Sequence, residues 1–490
     1  MFWADVMSSI WIGGNADGGL HERAPYWLNG VVPLAYLLKN AGVSARPPHH
    51  HKHPTLRHAP VAQPIDGNCT LGLDMRNNDL SFALAVDAKA CQARCVANYA
   101  CNGFVFDNCT VGGGQCWLKS AIGETSAAPC RCFGKVRTSP IPPVDMYAQA
   151  TKYISHILAS QNADGWLGPQ SANPKTDGGQ YWGPSNVLFS LWQWAEGEMA
   201  TASDASVGSA AFKNATSAML AHLLEQKKRM ATAKMTSWAG ERWIDMALSA
   251  EFLIDNAAAA GISDADVSLL LGLVEMLHAQ GVDWDGWFET FTGDAGGHNV
   301  NNAQGLKSAA VWFRYSNNDS MAQLSKDRMA NLDKLYGLPT GMYNGDEILP
   351  VPATRSPSRG IELCGVVEAM FSYTTMFSVH GDLTFADRAE RIAYNALPAT
   401  WASPKGGDMW AHQYLQAVNE INAIKADPHT WQHDGDMAET YGLEPNYGCC
   451  TAIFNHGASL SLSLSLSLSL SLSLSLSLSL SFSRSLARAP

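Results

Sequence analysis

Residues 359–373 read RGIELCGVVEAMFSY and residues 444–457 read EPNYGCCTAIFNHG. The apolar residues of the first stretch recur at helical spacing. Together the two carry Glu362, Cys364, Cys449 and Cys450, one carboxylate and three thiols. Zinc is a borderline-soft ion that favours thiolates and accepts a carboxylate oxygen, so the four form a sensible tetrahedral ligand set. The fold must then join two segments that lie some 85 residues apart. Other readings stay open. A cysteine on an apolar helix is often a small buried hydrophobe, and adjacent cysteines also pack or form disulfides.

Working outward, the chain from Val144 to Leu397 is read as mostly helical. Tyr147, Ile154, Ile157 and Leu158 mark one amphipathic helix, ended by Asn162–Gly165. Val187, Leu188, Leu191, Trp192 and Trp194 mark another, with Pro184 near its first turn. Similar runs cover 208–228, 241–258, 264–280, 302–314, 318–336, 361–379 and 385–397. Near the start, Trp27, Leu28, Val31, Val32, Leu34, Ala35 and Leu38 follow the same period. Periodicity predicts an all-α domain of antiparallel hairpins.

That pattern is interrupted. Residues 46–54, RPPHHHKHP, are polar, proline-bounded and aperiodic, and read as a linker whose histidines are solvated rather than metal-bound. Eight of the eleven cysteines then fall between Cys69 and Cys132. Such density reads as a disulfide-stapled module from an oxidising compartment. Eight cysteines allow 105 pairings, and none is assigned.

Composition excludes several partner classes. Charged residues are 16 % and hydrophobic ones 46 %, enough for a sizeable core. The net charge of −11 without a basic run argues against nucleic acid and anionic membranes. No continuous apolar run approaches the ~20 residues of a membrane span. Asn68, Asn108, Asn214 and Asn318 each open an N-x-S/T sequon, compatible with secretion.

The stretches GMYNGDEILP (341–350), RGIELCGVVEAMFSY, MWAHQYLQAVNEI (409–421) and EPNYGCCTAIFNHG resemble glycoside hydrolase family 127, the β-L-arabinofuranosidase family. The resemblance extends to residues 18–38, 153–169, 181–197, 238–255 and 298–316. It implies a mainly α fold, an (α/α)₆ barrel. It implies that Glu362, Cys364, Cys449 and Cys450 hold Zn²⁺, and that Cys449 is also the nucleophile. The matching acid/base is Glu347 in N-G-D-E, with Asp346 the adjacent alternative. His298 and Tyr414 match substrate-positioning residues, and Asn301 and His412 are weaker candidates. The loops Trp284–Gly297 and Trp401–Trp410 are expected at the barrel mouth. The implied activity is a retaining exo-glycosidase acting on plant-type oligosaccharides or glycoproteins. Residues 72–123 resemble a PAN/Apple module, a small disulfide-rich α+β unit that binds proteins or glycans. Phe104–Phe106 is its expected strand, and Cys91, Cys95 and Cys101 surround its helix.

The resulting map is 1–44 first part of the barrel, 45–65 linker, 66–134 PAN/Apple-like module, 135–143 linker, 144–457 catalytic barrel and 458–490 a Ser-Leu tail. That tail alternates without a turn or β-branched residue, as a translated CT repeat would. The barrel is accordingly expected to be truncated before its last helix and a C-terminal β-sandwich, and this chain to be inactive or poorly folded. Met1-Phe2-Trp3 starts inside family-like sequence without a leader, so secretion is an inference. A catalytically inert protein that binds glycan or protein through the module is the competing expectation.

Overall fold

The structure is a computed structural model that describes residues 6, 8–14, 22–40, 70–75, 79–85, 90–91, 95, 103–107, 114–119, 125–135, 145–168, 181–236, 238–291, 297–350, 355, 358–402, 411–417, 437–442, 444–445 and 447–457. Residues 45–65, 136–143 and the Ser-Leu tail, with Cys69, Cys101 and Cys109, lie outside the described residues, and Lys135, expected in the second linker, ends a strand. The chain divides into two compact units, Met1–Gly42 with Asp145–Pro490, and Val43–Val144.

The larger unit is helical. Apart from four-residue turns of helix, its helices among the described residues are α1 (Arg23–Asn40), α2 (Met146–Ala159), α3 (Trp182–Thr201), α4 (Ala205–Met230), α5 (Trp243–Asp255), α6 (Asp264–Gln280), α7 (Trp284–Thr290), α8 (Asn299–Gly305), α9 (Ser308–Ser316), α10 (Ser320–Tyr336), α11 (Leu363–His380) and α12 (Leu383–Tyr394), with α13 at 448–457. Two burial patterns separate them. On α5 every residue from Trp243 to Leu253 is buried, and α3 and α11 are buried over most of their faces. Helix α12 instead buries only Phe385, Ala389, Ile392 and Ala393, one stripe at helical spacing. Helices apolar on all sides belong inside; striped helices form an outer layer.

Capping follows the same division. Asp145, Asp204, Ser263 and Asp382 cap α2, α4, α6 and α12 through their side chains. By contrast, α3, α5, α8 and α11 start at Tyr181, Arg242, His298 and Glu362 with no side-chain cap. Their first N–H groups, and the positive end of each helix dipole, are left for other partners. Helices α9 and α10 also lack a side-chain cap, at Lys307 and Asp319, although only four residues of each are buried.

Inner helices neighbour one another in chain order. Helix α1 packs on α3, α3 on α5, α5 on α8 and α9, and α8 on α11. Helix α13 meets α11 through the Phe371–His456 ring pair, 5.9 Å apart, and meets α1 through the Asn455 Nδ2 bond to Trp27 O at 2.9 Å. The α1–α13 approach is so close that a Cβ on Gly30 would sit 2.4 Å from His456 N. Gly30→Ala is therefore expected to cost about 1–3 kcal/mol by overpacking against backbone. Gly240, whose added Cβ would meet nothing within 4 Å, is the control. Thermal denaturation of the two alanine variants checks this, and equal midpoints would contradict the close approach.

Several elements differ from their sequence expectation. The run 302–314 is split between α8 and α9 at Leu306–Lys307. The run 361–379 begins in extended backbone, because Ile361–Glu362 (β6) pairs antiparallel with Leu415–Gln416 (β9). Trp401–Ala402 (β7) pairs likewise with Ala411–His412 (β8). These two-residue strands are too short for any periodicity to reveal. The expected mouth loop Trp284–Gly297 is helical over α7, with Trp284 and Trp287 buried; residues 292–296 and 403–410 lie outside the described residues. By length and composition Asp264–Thr290 would pass for a membrane span. It is two helices broken at Gly281–Asp283, and Leu270, Leu273, Val274 and Leu277 are in the core.

The smaller unit is an antiparallel sheet of Thr70–Met75 (β1), Asp79–Ala85 (β2), Gly103–Asp107 (β3), Gly114–Lys119 (β4) and Thr125–Lys135 (β5), in the order β1-β5-β3-β4-β2. Phe104 lies opposite Leu118 and Phe106 opposite Cys116, as period-two alternation requires. These four, with Cys91 and Cys95, make a small core. A Cys91–Cys116 disulfide staples it, and Cys95 is also disulfide-bonded.

Candidate functional site

The uncapped inner-helix ends converge. Cys364 lies in the first turn of α11 and Glu362 at its N-cap, while Cys449 and Cys450 open α13. Their four ligand atoms lie within 4.8 Å of one another. Cys364 Sγ is 3.0 Å from Cys450 Sγ, which is 3.9 Å from Glu362 Oε1. All but Cys449 are buried, and none of the three cysteines is in a disulfide. Thiol hydrogen bonds from Cys364 and Cys450 hold the Cys449 thiol well below its ordinary pKa, whereas burial pushes Cys364 and Cys450 up. The α13 dipole favours a Cys449 thiolate in the same direction. Three thiols and a carboxylate at this separation fit a thiophilic divalent ion.

Beside the cluster is a cavity of about 180 Å³. Glu362, Cys364 and Cys449 form one wall with Tyr447 and Gly448, and His298, Val300 and Glu347 another. Glu347 is placed by two backbone pairings: Asn299 N bonds its carbonyl at 2.6 Å, and Leu349 N bonds Gly297 O at 2.6 Å. Its carboxylate is 3.3 Å from His298 Nε2. Its charge also acts on Cys449.

The neighbouring Asp346 does different work. It is 3 % exposed, has a left-handed φ of 48°, and its carboxylate accepts from Gly360 N and pairs with Arg359 at 2.8 Å. It thereby fixes the strand that carries Glu362. Burial pushes its pKa up to about 6 against the opposing Gly360 and Arg359 contacts. It does not line the cavity.

Tyr414 is buried beside the cluster and not on the cavity wall. Its ring meets Tyr447 edge-on at 5.3 Å, and its hydroxyl has no hydrogen-bond partner among the described residues. Burial pushes that hydroxyl far above its usual pKa, reinforced by Glu362 and the thiols. His412 does not line the cavity; its Nε2 is 3.1 Å from Thr451 Oγ1 and its Nδ1 3.1 Å from Gln413 O. Asn301 accepts from Arg242 Nε at 2.7 Å, one layer behind the cavity.

The remaining wall was not singled out in the sequence. Glu22, Arg23 and Tyr26 from the start of α1 line it with Trp238 and Arg242. Trp182 Nε1 donates to Glu22 Oε2 at 2.7 Å, and the Arg242 guanidinium lies 4.3 Å from both the Trp182 and Trp238 rings. Burial pushes Glu22 up to about 7, with Arg242 opposing. An acidic residue immediately before a helix reads as an ordinary first-turn charge, so only tertiary structure exposes its position.

A PAN domain family model matches residues 72–119. No curated protein sequence matches the chain. Among solved structures, one described as a glycoside hydrolase is similar at a TM-score of 0.41 and 14 % identity, covering 65 % of this chain and 51 % of that one. A GH127 β-L-arabinofuranosidase from Geobacillus stearothermophilus T6 gives 0.41 at 11 % identity, covering 65 % and 52 %. A further GH127 β-arabinofuranosidase gives 0.40 at 13 %, covering 66 % and 49 %. The chain spans about half the length of the solved structures it matches.

Proposed function

We propose that the helical unit is a retaining exo-glycosidase of the β-L-arabinofuranosidase type, with Cys449 as nucleophile and Glu347 as acid/base. The observation that carries this reading is the convergence of Glu362, Cys364, Cys449 and Cys450 within 4.8 Å, on a cavity that Glu347 also lines. The neighbour order of α1, α3, α5, α8, α11 and α13 supports the (α/α)₆ barrel.

The cavity suits a double displacement. The Cys449 thiolate attacks the anomeric carbon while the glycosidic C–O bond breaks, and Glu347 gives its proton to the departing oxygen. Glu347, now a carboxylate, takes a proton from water, whose oxygen attacks the same carbon and releases the thiolate. Two inversions give net retention. The ligand set holds Zn²⁺ in this reading; bound Zn²⁺ keeps the thiols deprotonated at neutral pH. His298, at 3.3 Å from Glu347, orients that carboxyl or a sugar hydroxyl. Asp346 is a poor acid/base because Arg359 and Gly360 occupy its oxygens.

The PAN-like unit is proposed to bind a glycan or protein, and its Cys91–Cys116 bridge supports an oxidising, extracellular setting. The activity is tested by incubating zinc-loaded protein with an aryl β-L-arabinofuranoside and following the product anomer by NMR. The β-anomer should form first. Although its Ser-Leu tail leads to the expectation of an inactive chain, turnover is proposed here because α13 packs on both α1 and α11. An initial α-product, or no turnover on any aryl pentofuranoside, rejects the proposal.

A further inference from the structure

Glu22 has one carboxylate oxygen held and one unused. Trp182 Nε1 at 2.7 Å and Arg242 Nη1 at 3.6 Å both address Oε2. Among the described residues no side chain or backbone group addresses Oε1, and the residue lines the cavity. The held side is rigid. Arg242 is clamped between two indole rings at 4.3 Å and bonded through Nε to Asn301 at 2.7 Å. Glu22 is only 4 % exposed as a residue, and Oε1 is not among the fully enclosed polar atoms without a partner, so the exposure it keeps opens on the cavity. A carboxylate oxygen presented there is a ready acceptor, and a ligand that left it without a donor would incur the cost of its desolvation.

We propose that Glu22 Oε1 accepts a hydrogen bond from a hydroxyl of the sugar in this cavity, and thereby selects neutral sugars that keep that hydroxyl free. The proposal rests on the glycosidase reading and adds the feature by which the substrate is chosen. Deoxygenation or O-acylation at that position removes the donor. A uronic acid would set a further carboxylate against those of Glu22, Glu347 and Glu362. Arg242 is a positioning residue here, since it acts through Glu22.

Glu22→Gln is the informative variant. The Trp182 and Arg242 donors demand an acceptor, so the amide must turn its carbonyl toward them and present NH₂ to the cavity. An acceptor becomes a donor at almost unchanged volume. With zinc-loaded full-length protein, wild type should lose about ten- to a hundredfold in kcat/KM on one of the 2-, 3- and 5-deoxy aryl arabinofuranosides relative to the parent. Glu22→Gln should lose a similar factor on the parent and no longer discriminate against that analogue. A merely structural role would lower all substrates equally. Melting temperature and zinc content are measured alongside, and Glu22→Asp, which keeps the acceptor, should recover part of the discrimination.

A second readout avoids turnover. Titration of L-arabinose and its deoxy forms, followed by fluorescence of the nearby Trp182 and Trp238, should show binding by wild type and about tenfold or greater weakening in Glu22→Gln. Turnover with unaltered discrimination in Glu22→Gln overturns the Glu22 proposal and leaves the glycosidase standing. Sugar binding that depends on Glu22 without any turnover overturns the glycosidase and keeps the Glu22 site. No sugar binding by wild type overturns the Glu22 proposal.

Discussion

Cys364→Ala is expected to abolish metal binding and to lower the melting temperature of the metal-loaded protein by several degrees. Cys364 is 4 % exposed and its sulfur lies 3.0 Å from that of Cys450, so its thiol sits at the centre of the cluster and alanine leaves one ligand position without a side-chain donor. A ligand that binds only the folded chain stabilises it by RT ln(1 + [L]/Kd), ~4 kcal/mol at a thousandfold excess over Kd. Losing one of four ligands removes most of that. The metal-free fold should nonetheless persist, because a buried neutral thiol behaves as a small hydrophobe. Elemental analysis should therefore find one zinc per wild-type chain and none in the variant. Chelator should lower the wild-type melting temperature and leave that of Cys364→Ala unchanged. Full zinc occupancy in Cys364→Ala would remove the four-residue site.

Much of the helical layer is legible from spacing alone. Ile154 and Ile157 are buried where the α2 periodicity puts them, Tyr147 and Leu158 are half-buried, and the 264–280 run coincides with α6. Patterns fail where geometry is not periodic. The two-residue strands that seat Glu362 and His412 carry no repeat, and α13 begins at Gly448 after a prolyl segment that reads as loop. The ligand cluster is legible because thiols and carboxylates betray their chemistry by type. The Glu22 wall is not, since glutamate, tryptophan and arginine each have common surface or core uses. Their meaning arises only when α1, α3 and α5 bring Glu22, Trp182 and Arg242 together. The Asp346–Glu347 ambiguity is likewise tertiary: a left-handed Asp346 turns its carboxylate back onto Gly360, which leaves Glu347 for the cavity.

That division of labour leads to the remaining large effect. Cys449→Ser should lower kcat by on the order of 10⁴-fold or more, because a serine hydroxyl has no comparable anion population at neutral pH. Zinc content must be measured with it, since Cys449 is also a proposed ligand. Glu347→Gln should behave differently and depend on the leaving group. Alkyl and sugar leaving groups need a proton in the transition state, so their kcat should fall about 10²–10⁴-fold. Nitrophenolate leaves without one, so glycosylation of Cys449 should be slowed far less, and the thioglycosyl enzyme should accumulate as a burst because Glu347 no longer activates water. Mass spectrometry of the quenched burst should place one sugar on the peptide containing Cys449. Asp346→Asn should show neither leaving-group dependence nor burst. Its carboxylate holds Arg359 at 2.8 Å and Gly360, so its loss should lower the melting temperature and zinc affinity instead. A leaving-group effect in Asp346→Asn, with equal losses on both substrate types in Glu347→Gln, would exchange the two roles despite the cavity wall on which Glu347 stands.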